Sequence, residues 1–318
     1  MTKTRRYRWE ARAAGAVQGL ASVLPLPVVR AFGRGLGRLL SDLDPRHVAV
    51  ATGNLRQAFP HWDDVRRLRA VRQVYAHFGQ VMLEILWLRG RSRDEVLGLV
   101  EVVGREHVEA AFAGGRGVLC VTAHIGNWEM HGLAHGWVFG PISVVARPID
   151  NPDLHRRLGE VRTMGGNAVI DKRHALSQIM RGLKENRGIA ILIDQNVQVQ
   201  DGIFVDFFGR AAATTTVAAA LAVRTGCALL PSHTVLGRDG RYRLVYDPVV
   251  RWSPSGDRRA DVARLTQRLT TIIEGWIRDA PEQWLWLHKR WKTRPPEQSA
   301  TSNQQSATEG AEGTERRV

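Results

Sequence analysis

Cysteine is scarce in this 318-residue chain. There are two, Cys120 and Cys227, too few for a disulfide framework, and a reducing compartment follows. Lysine is scarce too: five of the 45 basic residues are Lys and the rest are Arg. No hydrophobic run reaches the thickness of a bilayer. The uncharged stretch from Ala13 to Val29 holds 17 residues, and as a helix it covers roughly 25 Å of a ~30 Å hydrocarbon core. Pro25 and Pro27 stop that helix near Leu24. Internal repeats are absent. With 44% hydrophobic and 24% charged residues, fibrous, collagenous and wholly disordered classes are excluded. The length suffices for a full core without metal staples.

What the chain has in excess is positive charge, +14 with a sequence pI of about 10.9. Such a surface prefers anionic partners: nucleic acid, acidic phospholipid, phosphate-bearing substrates or an acidic carrier protein. The first residues bring Arg5, Arg6, Arg8, Arg12 and Trp9 ahead of the apolar stretch. This fits a helix lying in the plane of a membrane, with the arginines among headgroups. A secretory signal also begins this way, but no clean small-x-small cleavage site follows. From Val28 to Leu40, Arg30, Arg34 and Arg38 recur every four residues beside an apolar face. That pattern serves a membrane surface and a cap over the domain's own core equally well. The expected organisation is membrane-associating helices over 1–47, a catalytic domain over 48–294, and a disordered Ser/Thr/Gln/Glu/Gly-rich tail over 295–318.

Between Val48 and Val100 apolar residues recur at helical spacing. Beyond Val102 short apolar runs alternate with helical segments. Buried strands are expected at 117–122, 142–146, 168–170, 188–193 and 228–235, with a more exposed one over 242–249. Helices are expected at about 128–137, 154–164, 175–186 and 216–225, and a long one over 261–278. The pattern predicts an α/β fold with a central, mostly parallel sheet and helices on both faces.

The chemistry concentrates in Val121-Thr-Ala-His-Ile-Gly-Asn-Trp-Glu-Met130. A strand ends, His124 follows, Gly126 and Asn127 can open a helix, and Glu129 lies in its first turn. On one continuous helix His124 and Glu129 would lie about 140° apart, so they meet only if the backbone bends at Gly126. A His at the carboxyl end of a strand stands where α/β folds bind ligands. A carboxylate beside it would fix the tautomer and support the imidazolium, which suits a general base for a hydroxyl. A core His with a helix-capping Glu fits the same spacing. His131 and His135, four apart on one face, have a metal-ligand spacing, though Gly132 stands where a zincin has Glu. A metal-dependent hydrolase is therefore an alternative. So is a nucleic-acid binder, since Trp284, Trp286, His288, Lys289, Arg290, Trp291 and Lys292 interleave rings with positive charge, although no helix-turn-helix, RNA-recognition or zinc-finger pattern occurs. Thr214 to Thr216 reads as a helix cap, and Cys120 as a small core residue.

Taken together, the motifs resemble a known family. His124 to Glu129 resembles the H-x4-D/E motif of the glycerolipid acyltransferase superfamily, in particular the lipid A biosynthesis (late) acyltransferases and the phosphatidylinositol mannoside acyltransferases. Asn54-Leu-Arg-Gln-Ala-Phe-Pro60, Val144-Val-Ala-Arg-Pro148, Asp194-Gln195 with Gly202 and Phe207-Phe-Gly209, Pro231, and Pro281-Glu-Gln-Trp-Leu-Trp286 through Lys292 match further family blocks in order. The resemblance implies an acyltransferase with His124 as general base and Glu129 as its carboxylate partner. It puts Arg147 on a substrate phosphate, where a bidentate guanidinium fits well, and Arg162, less firmly, on a second basic position. Asp194, Gln195 and Asn127 complete the substrate-binding set, with Asp194 expected to orient the site or pair with Arg147. Neither a cofactor nor a metal is implied. The expected partners are an acyl carrier protein or acyl-CoA donor, a lipid or glycolipid acceptor such as a lipid A precursor, and an anionic membrane, without nucleic acid. The expected location is the cytoplasmic face of the bacterial inner membrane.

Overall fold

A computed structural model describes residues 3–171 and 175–296. The N-terminal part is helical. α1 (Lys3–Val23) ends before Pro25, and α2 (Leu26–Leu43) begins after it, with Pro27 inside its first turn, where a missing N–H costs nothing. α3 (Pro45–Ala58) is capped by Asp44, whose side chain accepts the His47 N–H at 3.2 Å. α4 (Asp64–Leu88) is capped by Asp63, and α5 (Arg93–Leu97) opens on a Ser92/Glu95 capping box.

The sheet follows. In chain order come β1 (Val100–Val103), α6 (Arg105–Ala113), β2 (Val118–Thr122), α7 (Trp128–Phe139), β3 (Ile142–Ala146), α8 (Pro152–Thr163), β4 (Ala168–Asp171), α9 (Ala175–Lys184) and β5 (Gly188–Leu192). A hairpin, β6 (Gly202–Phe207) with β7 (Arg210–Thr215), precedes α10 (Val217–Thr225), β8 (Ala228–Leu236), β9 (Tyr242–Tyr246) and α11 (Arg258–Asp279). The seven-stranded sheet runs β1-β9-β8-β2-β5-β3-β4 and is parallel except for the β8/β9 pair. Alternate residues of β2 feed two cores: Leu119 and Val121 on one face, Val118 and Cys120 on the other. Both faces are thus covered by helices, which is why the strand reads as an unbroken apolar run.

The strand expected over 242–249 is β9, which lies between β1 and β8; Tyr242 and Leu244 are fully buried while the Arg243 side chain on the alternate face is 41% exposed, so the alternation separates a core face from a partly exposed one. The β6/β7 hairpin was hidden by its Ala-rich second strand, whose composition favours helix. Thr216 occupies the cap position of α10 without making a side-chain cap bond; the Thr215 hydroxyl accepts the Val217 N–H at 3.4 Å instead. The expected tail lies almost wholly outside the described residues.

α2 packs along α4 at backbone contact. A Cβ added at Gly37 would stand 2.1 Å from the Tyr75 carbonyl oxygen, and one at Gly33 would stand 2.7 Å from the Gln80 Cα. Gly37→Ala is expected to cost about 1–3 kcal/mol through this overlap, read as a lowered Tm in thermal denaturation. Two of the three arginines spaced every four residues turn inward, as a cap over the domain's own core requires. Arg30 donates to Glu84 Oε1 at 2.5 Å and to the Gly240 carbonyl at 2.6 Å, and Arg34 donates to Gln80 at 2.8 Å. The opposite face of α2 exposes Val28, Phe32, Leu36, Leu39, Leu40 and Leu43. Among the described residues no helix is long and apolar enough to cross a membrane.

Candidate active site

β2 and β5 are neighbouring parallel strands with Thr122 opposite Leu192. Two residues further along each strand stand His124 and Asp194, so the register itself places them side by side at the carboxyl edge of the sheet. The His124 Nδ1–H donates to Asp194 Oδ1 at 2.8 Å, and the His124 backbone N–H donates to Oδ2 at 2.9 Å. The Trp284 indole N–H donates to the same Oδ2 at 2.7 Å. A carboxylate only accepts, so the proton sits on Nδ1, and Nε2 is left to meet a substrate.

Burial works against a charged ring at His124, but the charge and hydrogen bond of Asp194 outweigh it and hold the pKa above its ordinary value. Burial likewise works against the Asp194 anion, yet His124's charge and hydrogen bonds keep it well below the usual carboxylate range. Both shifts have one cause: each partner favours the charged form of the other.

Glu129 does not hydrogen-bond to His124. It forms a bidentate ion pair with Arg162, at 2.8 and 2.5 Å, and accepts from the Trp128 indole at 3.2 Å. Its charge still acts on the imidazole through space, and Arg162 opposes it. The backbone does bend at Gly126, with φ +59°, but the carboxylate that reaches the ring comes from the next strand. Asp194 does not pair with Arg147, because it is buried against His124 and Trp284. Arg147 lies on the rim, its side chain 80% exposed, with Asp150 at 3.9 Å as a weak partner. Asn127 faces neither cavity. It is fully buried, caps α7 by accepting the Met130 N–H at 3.0 Å, and donates to Glu84 at 3.0 Å. Gln195 is exposed and borders the larger cavity.

The C-terminal segment closes the loop from behind. Ile125 pairs with Trp284, the Gly126 N–H donates to the Gln283 carbonyl at 2.9 Å, and the Leu285 N–H donates to the His124 carbonyl at 3.0 Å. Gly126 allows no side chain, since an added Cβ would stand 1.9 Å from the Thr234 carbonyl. Its N–H is spent on the Gln283 carbonyl and is not free to donate to a bound oxyanion.

Two residues escaped sequence reasoning. Trp284 looked like packing, and nothing local marks it as an Asp194 ligand. Glu84 carried a signal, a lone acid inside an apolar helix face. It is buried and accepts from Arg30, Gln80, Asn127 and Tyr242, tying α2, α4 and β9 to the start of α7.

Two cavities meet at His124, Trp128, Glu129, Arg147 and Arg162. One, of about 430 Å³, runs inward beneath α7 past Leu133, Ile142 and Ala190. The other, of about 390 Å³, lies between α4 and α8 and is walled by Met82, Ile85, Leu86, Leu154 and Leu158. His131 and His135 do not form a metal centre. The Nδ1 of His131 is bonded to the Thr234 hydroxyl at 2.7 Å and that of His135 to the Tyr246 hydroxyl at 2.8 Å. Burial lowers their pKa values to about 3 and about 4. Among the described residues no three His, Cys, Asp or Glu side chains are grouped to hold a metal.

An oriented imidazole where an apolar cleft opens at a cationic rim is chemically suited to taking a proton from an alcohol held next to a greasy chain. The comparisons make that chemistry specific. Residues 5–293 match the family described as bacterial lipid A biosynthesis acyltransferase, and the chain belongs to it. It is similar to the lipid A biosynthesis lauroyltransferase of Escherichia coli K12, 30% identical over 278 residues covering 86% of this chain and 88% of that one. It is also similar to the palmitoleoyltransferase of the same organism, 28% identical over 281 residues covering 87% and 89%. A phosphatidylinositol mannoside acyltransferase of Mycolicibacterium smegmatis is 28% identical over 225 residues, covering 70% and 72%. The protein is an acyltransferase.

Proposed function

We propose that this acyltransferase moves a fatty acyl group from the thioester of acyl carrier protein or coenzyme A to a hydroxyl of a lipid A precursor, or of a glycolipid of that kind, at the cytoplasmic face of the bacterial inner membrane. The observation that carries the reading is His124, its Nδ1 held by Asp194 at 2.8 Å, at the junction of two cavities of which one is an apolar cleft. The acceptor hydroxyl gives its proton to Nε2 as its oxygen attacks the thioester carbonyl carbon. Asp194 supports the imidazolium directly and Glu129 supports it through space. The tetrahedral oxyanion is stabilised by the cationic rim, since the backbone N–H of Gly126 is already spent. Its collapse breaks the C–S bond, the proton passes from the imidazolium to the thiolate, and ester and thiol leave. No cofactor takes part.

The arginines support a lipid substrate over nucleic acid. Arg89, Arg147, Arg157 and Arg162 ring the apolar cleft between α4 and α8, whereas Trp284, Trp286 and Arg290 are buried and give bases nothing to stack on. Arg147, exposed at the junction, is placed to take a phosphate of the acceptor. The outer face of α2 supports membrane association. Phe32→Asp and Leu36→Asp are each expected to weaken binding to anionic phospholipid vesicles about tenfold or more, because each side chain loses its burial in lipid; sedimentation with vesicles measures it.

Lipid mass spectrometry of a deletion strain tests the whole reading. One lipid should lack a single acyl chain, wild-type protein should restore it, and His124→Ala should not. An unchanged lipid profile, or full restoration by the Ala variant, overturns the proposal.

A further inference from the structure

The larger cavity is not lined as a pure hydrocarbon slot. Its mouth holds His124 and Glu129, and its walls are Leu133, Ile142 and Ala190, but farther along α7 it meets His131, His135 and Ser232. His135 lies six residues beyond Glu129, about 9 Å deeper along the helix axis. It is 1% exposed, its Nδ1 is engaged by the Tyr246 hydroxyl, and its Nε2 has no hydrogen-bond partner. A buried ring nitrogen without a partner is costly, and an alkyl chain end against it leaves that cost in place. A hydroxyl removes it with either tautomer, because it both donates and accepts. Ser232 of β8 lines the same cavity.

We propose that the cavity beneath His124 selects a donor chain bearing a hydroxyl on its buried portion, near the end remote from the thioester, with His135 as the specificity-determining residue and Ser232 beside it. The proposal rests on the acyltransferase reading for the identity of the chain, while the recognition itself is a property of the cavity. The imidazoles at this depth stay neutral, so the preference is for a neutral polar group and not for a carboxylate.

Two measurements on the full-length protein test it. Calorimetry with straight-chain fatty acids and their ω-hydroxylated counterparts, matched carbon for carbon, reads the cavity alone. At the best chain length the hydroxylated acid should bind about tenfold tighter. Competition between the matching acyl-carrier-protein thioesters should show the same preference in kcat/KM. His135→Phe keeps a ring of similar size without the nitrogen and should abolish or invert the preference. Ser232→Ala should weaken it, which gives a second reading should the Phe variant fail to fold. Equal binding of the two series at every length would mean that water satisfies His135, and it overturns the inference even if plain chains are transferred well. A binding preference for hydroxylated chains without transfer from any thioester would instead sink the acyltransferase reading and leave the cavity's selectivity standing.

Discussion

His124→Ala is expected to lower kcat for acyl transfer about 10²–10⁴-fold, the usual worth of a positioned general base, while the protein stays folded. The side chain is partly exposed, and its backbone groups, which hold Asp194 and Leu285, survive the substitution. Single-turnover assays with an acyl thioester, beside thermal denaturation, separate the two effects. Activity within threefold of wild type would remove His124 from the chemistry. In the wild type the base works only when neutral. Because Asp194 holds its pKa above the ordinary value of about 6.5, kcat/KM should rise with pH through a midpoint above that value.

Asp194→Asn is the second large effect. The amide presents N–H where the ring has N–H, so the ring must turn or change tautomer. By analogy with the amide variant of a catalytic triad, activity should fall about 10³–10⁴-fold. The acid limb of whatever activity remains should move to lower pH, because the charge that raised the His124 pKa is gone. Stability should change in a defined window. The depressed Asp194 pKa contributes stability that is whole above the unfolded carboxylate value, about 4, and is lost as pH falls below it. The raised His124 pKa contributes stability that is whole below the unfolded histidine value, about 6.5, and is lost as pH rises through the folded value. The Tm difference between wild type and Asp194→Asn should therefore be greatest between about pH 4 and 6.5, and a difference flat in pH would refute the ion pair. Glu129→Gln serves as the contrast. Its partner is Arg162, so its activity loss should be smaller and its acid limb should shift less.

Much of the sheet was legible because buried parallel strands write themselves as short apolar runs between helical segments. β2, β3, β5 and β8 lie within a residue or two of their expected positions. The interior place of β9 was not legible, because alternation reports which side of a strand is buried and says nothing of its neighbours within the sheet. The hairpin escaped for a different reason: Ala-Ala-Ala favours helix by propensity, and only pairing with Gly202–Phe207 makes it a strand. At the site, His124 and Glu129 stood out by local spacing, and Asp194 as a residue just past a strand. Which carboxylate touches the imidazole was decided by strand register, a contact across 70 residues of sequence that no local pattern encodes. The inward turn of Arg30 depended in the same way on Glu84, far away in the chain.

The lock formed by Ile125 and Trp284 has a consequence for biosynthesis. The imidazole and its aspartate are made first, and the indole that completes the aspartate's set of donors follows 90 residues later in the chain. A nascent chain that has not yet reached Trp284 therefore carries the His124–Asp194 pair short of one donor.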